Sequence, residues 1–393
     1  MAKPINVPIT PDVAVWARTT AGLSVSEAAD LLHEAPTVLL AWERGQEKPS
    51  LTQAKALARL YRRPLAALLL PDVPVDPATP IDFRRGVAGQ ARRLTRPILI
   101  AIRRARRMQA AAHELFEGLE LSAVSLGLDP PSLAPEDAAA RFRDRLSVSI
   151  AEQLSWASDY DALNAWRSAV ERLNVLVLQA GMPVEEVRAF SLAPSSPAVI
   201  VLNSGDAPTA RIFSLFHELG HLVRGQQGIC DPASELMRTA DELAEERFCN
   251  RFSGALLVPQ QAVMHDQLAK AVAANESPES PLGTLASRYK VSRQVMWYRL
   301  REVGLINSEV FGAGWAVLGL SDKRPEHERA PGTPFVNPPA WRRALLEDGR
   351  GFVSKALEAL DRGLVGPADL VDWLEIKTPD IGKLEQQLAT KPE

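Results

Sequence analysis

The segment His217-Glu218-Leu219-Gly220-His221 limits most tightly how this chain can fold. Two residues four apart on an α-helix stand about 40° apart around the axis and one turn apart along it. Only a helix therefore brings both imidazoles within reach of one metal ion. Phe213, Leu215, Phe216 and Leu219 make the same helix largely apolar, so it is expected to be buried. A buried face bearing two imidazoles and a carboxylate needs partners. Glu218, directly after the first histidine, is placed to take a proton from a water held at the metal, whose pKa the ion lowers to about 7. His217 and His221 are thus expected as ligands and Glu218 as catalytic base, which is the chemistry of peptide-bond hydrolysis.

Two histidines leave such a site one ligand short, because a catalytic zinc usually takes three protein ligands. The run Asp241–Leu257 reads as the donor helix, with Glu242, Glu245 and Glu246 as candidates. Its apolar stripe passes through Cys249 and Leu256, and a step of three back from Cys249 reaches Glu246. Glu245, about 100° away, is expected to face solvent or to support a ligand from outside. Glu246 is the choice. Cys249 and Cys230 are alternative soft ligands, although Cys249 sits where a small apolar residue would. His33, His113, His265 and His327 lie in other segments and read as incidental. Histidine and carboxylate together suit one divalent ion, zinc first and manganese also.

The chain has 393 residues, enough for two or three domains, and is 46% apolar and 24% charged, which excludes a disordered chain. Two cysteines build no disulfide scaffold, no apolar run spans a bilayer, and the start has no signal-peptide pattern, so a cytoplasmic location is expected. Thirty prolines cluster at breaks. Short helices are expected through residues 14–71, with Ser24 capping one that ends at Leu32, then Thr37–Arg44, then a helix after Ser50. A proline-rich linker at 71–81 precedes a basic helix from Pro97 to Leu121. Helices over 136–180 carry Trp156, Leu163, Trp166, Val170 and Leu173 as core. Val175–Leu178, Val187–Leu192 and Val199–Leu202 read as strands. A helix over Pro208–Arg224 follows, then Asp241–Leu257, two short helices in Leu282–Val303, and small helices from Trp341 to Gln387.

The net charge of −3 hides an asymmetry. Residues 1–107 hold 17 Lys and Arg against 9 Asp and Glu, a surplus of 8 positive charges, so the remainder carries −11. Arg84, Arg85, Arg92, Arg93 and Arg96 lead into Arg103, Arg104, Arg106 and Arg107, a run that either contacts phosphates or forms a solvated helix face.

Several segments together resemble the ImmA/IrrE metallopeptidases. They are Arg188–Ser191, Ala198–Asn203, Ala210–His221 and Glu246-Arg-Phe-Cys-Asn-Arg-Phe-Ser-Gly-Ala-Leu-Leu-Val-Pro259, with Leu282–Gly304 resembling the helical end of that domain. Cys249 and Ser253 stand where the family has alanines. The resemblance spans about 165–305 and implies His217, His221 and Glu246 as metal ligands with Glu218 as base. Gly22–Ser24, Ala28–Ala29, Trp42–Gly45, Pro49 and Leu57–Ala58 resemble the helix-turn-helix of phage-repressor-like (XRE-type) regulators, which long family members carry ahead of the peptidase. The family's association with repressor cleavage implies a repressor as protein substrate and a role in stress response or mobile-element control.

The fold expected is therefore multidomain and mainly α with a small β-sheet: a helix-turn-helix domain over 1–71, a linker and basic helix over 72–135, a zincin-like α+β peptidase domain over 136–310, a linker over 311–340 and a helical extension over 341–393. A peptide substrate is expected to add to the strand Val199–Asn203, with Asn203 and Arg188 as candidates for substrate binding or for an oxyanion. Val38, Leu40 and Ala41 should point outward from the second helix of the helix-turn-helix, and such a surface reads base edges poorly. It suits a protein partner, so DNA binding is expected to be weak and the amino-terminal domain to dock on the peptidase or capture its substrate. The alternative is a DNA-binding regulator or antitoxin-like protein whose metal site is structural or sensory.

Overall fold

The computed structural model describes residues 5–74, 94–121, 125–127, 132–192, 197–225, 229–230, 240–274, 279–318 and 338–389. Most of the 71–81 linker, Arg84, Arg85, Arg92, Arg93, His327 and residues 319–337 lie outside these, as do the side chains of Cys230 and Glu242. The chain divides into two compact units, 1–104 and 105–393. The division falls inside the basic helix, at neither 71–72 nor 135–136.

The first unit begins with α1 (Pro11–Thr20), α2 (Val25–Leu32), α3 (Pro36–Glu43), α4 (Leu51–Tyr61) and a 3-10 turn over Leu65–Leu69. Ser24 and Ser50 each open a helix with a reciprocal capping box, to Glu27 and Gln53. Leu39, Trp42, Leu57 and Tyr61 are buried in its core. Glu43 is buried too, where Arg18 meets both carboxylate oxygens, at 2.7 and 3.0 Å. The Trp-Glu-Arg-Gly stretch thus joins α3 to α1 by a bidentate ion pair. α5 (Arg96–Gly118) starts here.

The second unit continues with α6 (Pro135–Leu146), α7 (Ile150–Ser155) and α8 (Asp159–Glu171). β1 (Leu176–Ala180), β2 (Ala189–Leu192), β3 (Val199–Asn203) and the two-residue β4 (Ile229–Cys230) form one sheet in the order β1-β3-β2-β4. β1 runs parallel to β3, and β2 runs antiparallel to both β3 and β4. β1 to β3 are buried almost throughout, the pattern of strands covered on both faces. α9 (Pro208–Val223) covers β2 and β3, and α10 (Ala240–Leu257) crosses α9. Trp166 supports α9 from α8, with its ring centroid 4.9 Å from that of Phe216 and nearly perpendicular to it. Helices α11 (Gln260–His265), α12 (Gln267–Ala274), α13 (Glu279–Tyr289), α14 (Arg293–Glu302) and α15 (Ser308–Val317) follow.

The carboxy-terminal helices α16 (Ala340–Asp348), α17 (Arg350–Asp361), α18 (Pro367–Leu374) and α19 (Thr378–Ala389) belong to this same unit. α16 packs on β1 and α17 on α8. The Leu346 carbonyl accepts hydrogen bonds from Arg167 at 3.0 Å and from Gln179 at 2.9 Å. No helix among the described residues is long and apolar enough to cross a membrane.

Candidate metal centre

α9 opens at Pro208, a residue suited to a first helical position because its missing N–H has no intrahelical acceptor to lose. Every residue from Ser214 to Val223 is buried. α10 approaches this helix at Gly220. A Cβ there would lie 3.1–3.2 Å from the Sγ, Cα and Cβ of Cys249, tighter than ordinary packing allows. Glycine at the centre of the motif thus sets how near α10 can come.

At that separation three side chains converge. His217 Nε2 lies 3.2 Å from His221 Nε2, and Glu246 approaches the two nitrogens at 3.2 and 3.5 Å. Ligands about 2.05 Å from a tetrahedral ion sit about 3.35 Å from each other, so the spacing fits one zinc-sized ion among the three. The protonation chemistry fits as well. His217 Nδ1 is 3.1 Å from Asn250 Oδ1, so a proton on Nδ1 donates to that amide and leaves the Nε2 lone pair facing the cluster. Burial works to raise the Glu246 carboxyl, but His217 and His221 outweigh it and hold the group well below the usual carboxylate range. Burial likewise works to lower His221, and its contacts with Cys249 and Glu246 outweigh that and leave it well above the ordinary imidazole value. The cluster thus calls for positive charge at its centre, which a proton or a divalent ion can supply.

Glu218 is fully buried beside these groups. Burial raises its pKa above the ordinary glutamate value, against the opposing pull of His221, His217 and a hydrogen bond from Ser191. Ser191 Oγ donates to Glu218 Oε2 at 2.8 Å, which ties the carboxylate to β2. Neither Ser191 nor Asn250 stood out from the sequence by itself. Both left a signal: Ser191 is the polar member of the apolar strand Ala-Phe-Ser-Leu, and Asn250 lies one helical turn beyond Glu246.

Glu245 is buried rather than turned to solvent, and its two oxygens accept from Arg224 Nε at 3.3 and 3.2 Å. With His221 and Cys249 it forms a second group whose ligand atoms lie within 4.8 Å of one another. Its commitment to Arg224 leaves Glu246 as the carboxylate facing both histidines. Cys249 is a free, buried thiol, and Ser253 satisfies its hydroxyl on the Cys249 carbonyl at 2.8 Å, so both replacements fit the helix interior.

Three expectations are corrected. Asn203 offers no donor to a substrate oxygen: its amide nitrogen donates to the Met182 and Val187 carbonyls at 2.9 and 2.8 Å, and its Oδ1 accepts from the Met182 and Gly205 amides. It fastens the chain on either side of β2. Arg188 lies 3.8 Å from Asp206, so its charge is already paired with a carboxylate. β3 cannot receive a substrate strand, because β1 and β2 pair with it on both sides.

The basic helix is not a free phosphate-binding stripe. Arg103 donates to the Tyr61 carbonyl at 3.2 Å at the end of α4, and Arg107 pairs with Glu375 at 2.8 Å. Arg104 and Arg106 are half-buried and hold interactions of their own. On α3, Val38 packs against the core rather than pointing outward, and Leu40 and Ala41 are half-buried, while Thr37 and Arg44 are exposed. The apolar outward face is therefore smaller than the sequence pattern suggested.

Residues 170–301 match the peptidase family M78, described as the IrrE N-terminal-like domain, and residues 16–68 match the helix-turn-helix family. The second match lies amino-terminal to the first. No curated protein matches the chain.

Proposed function

We propose that a chain joining an IrrE N-terminal-like peptidase domain to a helix-turn-helix is a metal-dependent endopeptidase, HExxH in type, that cleaves a partner protein. The observation that carries this reading is the convergence of His217, His221 and Glu246 at 3.2–3.5 Å beside a buried Glu218. The three would hold a divalent ion, zinc by donor type, with manganese compatible. When bound, such an ion supplies Lewis acidity toward a peptide carbonyl and its attacking water. Glu218 takes the proton from that water and passes it to the leaving amine. Ser191 fixes the carboxylate for the transfer, and Asn250 fixes the tautomer of His217.

β4 pairs only with Ala189 and Phe190. The β2 edge beside Ser191 and Glu218 is the proposed place for an extended peptide to lie. The helix-turn-helix favours a substrate from transcriptional control, a repressor, with stress response or mobile-element control as the setting and the cytoplasm as the place. Its weakly polar α3 favours capture of that partner over reading of an operator.

The test is metal analysis paired with cleavage. Wild-type protein should hold one divalent ion per chain and cleave its cognate repressor. Glu218→Gln should keep the metal and lose hydrolysis by at least about a hundredfold. Glu246→Ala should lose metal occupancy. Full occupancy in Glu246→Ala would transfer the third ligand to Glu245 and overturn the assignment.

A further inference from the structure

A cavity of about 390 Å³ opens between α8 and the carboxy-terminal helices, lined in part by Arg167, Glu171, Trp341, Arg342, Leu345 and Arg350. None of the metal-centre residues lines it. Its size falls within the range of small-molecule sites. Arg167 and Glu171 form a buried floor whose charges are already engaged. Glu171 accepts the Gly351 amide at 2.9 Å, at the start of α17. Arg167 donates to the Val177 carbonyl at 2.7 Å and to that of Leu346 at 3.0 Å.

The rim differs. Neither the Arg342 nor the Arg350 guanidinium enters a hydrogen bond or ion pair with a described residue. Two uncommitted guanidiniums thus share one cavity with the half-buried indole of Trp341 and the buried Leu345. A guanidinium presents paired N–H donors that match carboxylate and phosphate oxygens. An indole face and a leucine offer a flat apolar wall. With the Glu171 carboxylate offset by Arg167 at 4.0 Å, the remaining charge lining the cavity is positive.

We propose that this cavity binds a small organic oxyanion, a flat ring bearing a phosphate or a carboxylate. Arg342 and Arg350 hold the anionic group, and Trp341 and Leu345 cover the ring. The site does not depend on the metal centre or on the chain being a peptidase.

The experiment is isothermal titration of the full-length protein with AMP and with 2-aminobenzoate, alongside inorganic phosphate and adenosine as the separated halves. One ring-bearing oxyanion should bind with one site per chain and a Kd below about 1 mM. Preference for AMP identifies phosphate as the natural anion, and preference for 2-aminobenzoate identifies carboxylate. Phosphate and adenosine should each bind at least about tenfold more weakly than the joined molecule. The double variant Arg342→Ser, Arg350→Ser alters only rim side chains, so its thermal midpoint should hold while its Kd rises at least about tenfold. Absence of binding by both ring probes at 5-fold that concentration, binding of inorganic phosphate as tight as AMP, or unchanged affinity in the double variant would each overturn the proposal.

Discussion

Glu218 can act as a base only when it is ionised, and burial raises its pKa above the ordinary glutamate value. Activity is then lost on the acid side as pH falls through the Glu218 pKa. In the metal-free protein His221, His217 and the Ser191 hydroxyl favour the ionised form and Glu246 disfavours it; a bound divalent ion would favour it in place of protons on the two histidines. Removing the hydroxyl in Ser191→Ala takes away one stabiliser of the charge and raises the pKa further. The acid limb of kcat/KM should move up by about half to one pH unit with metal content unchanged. A pH–rate profile of the two proteins checks it, and coincident limbs would mean that Ser191 does not tune the base. At this scale the sequence was legible where spacing alone fixes geometry. His217, Glu218, His221 and Glu246 are near neighbours on two helices, and helical periodicity brings them to one place. Ser191 was hidden because its contact joins β2 to α9 across 27 positions of chain. Asn203 misled for the opposite reason. Its strand position suggested a role at the site, while both of its amide donors are taken by the Met182 and Val187 carbonyls of the segment before β2.

Between elements, the crossing of α9 and α10 decides whether the three side chains meet. The close approach at Gly220 leaves no room for a Cβ against Cys249. Gly220→Ala should push α10 outward by a few tenths of an ångström and carry Glu246 away from the two imidazoles. A helix interior gains from alanine by about 1 kcal/mol in propensity, so metal-free stability should change little or fall modestly while divalent-ion affinity drops by about tenfold. Competition with a chromophoric chelator measures the affinity, and undiminished affinity would show that the crossing tolerates the methyl group. The major elements followed from pattern: α9 and α10 from their apolar spacing, the three strands from short apolar runs, and α2 and α4 from their serine caps. Strand order did not. Nothing in three apolar runs announces that the last of them lies between the other two, since pairing partners are set by tertiary packing. The availability of β3 to a substrate was misjudged for that reason.

For the whole chain, two consequences follow from how charge and glycine are used. The described arginines of α5 are engaged or half-buried, so they add little to nucleic-acid attraction. Full-length protein should therefore bind duplex DNA weakly and without sequence preference, and what affinity there is should fall between about 50 and 200 mM salt. Fluorescence anisotropy on random and operator-like duplexes checks this, and a tight, salt-resistant complex with one sequence would show that α3 reads bases after all. The second consequence concerns the carboxy-terminal helices, which the sequence suggested were an appendage beyond a linker. They share a unit with the peptidase domain because Gly349 lets the chain turn from α16 into α17 directly against Glu171. Its φ is +85°, and a Cβ there would lie 2.0 Å from a Glu171 carboxylate oxygen. Gly349→Ala imposes both a backbone conformation that alanine resists and a collision with a buried charge. Relief requires the Glu171 carboxylate or α17 to shift, and either movement strains the hydrogen bond from the Gly351 amide. The cost should be about 2–4 kcal/mol, a large fraction of what holds an ordinary domain folded. Limited proteolysis should cut residues 338–389 faster in the variant, and the thermal midpoint should fall by several degrees. None of the three proposed ligands His217, His221 and Glu246 touches Gly349 or Gly351, so the variant should retain its ion below the melting transition. Early loss of the ion would mean that the carboxy-terminal helices also hold α9 and α10 in register.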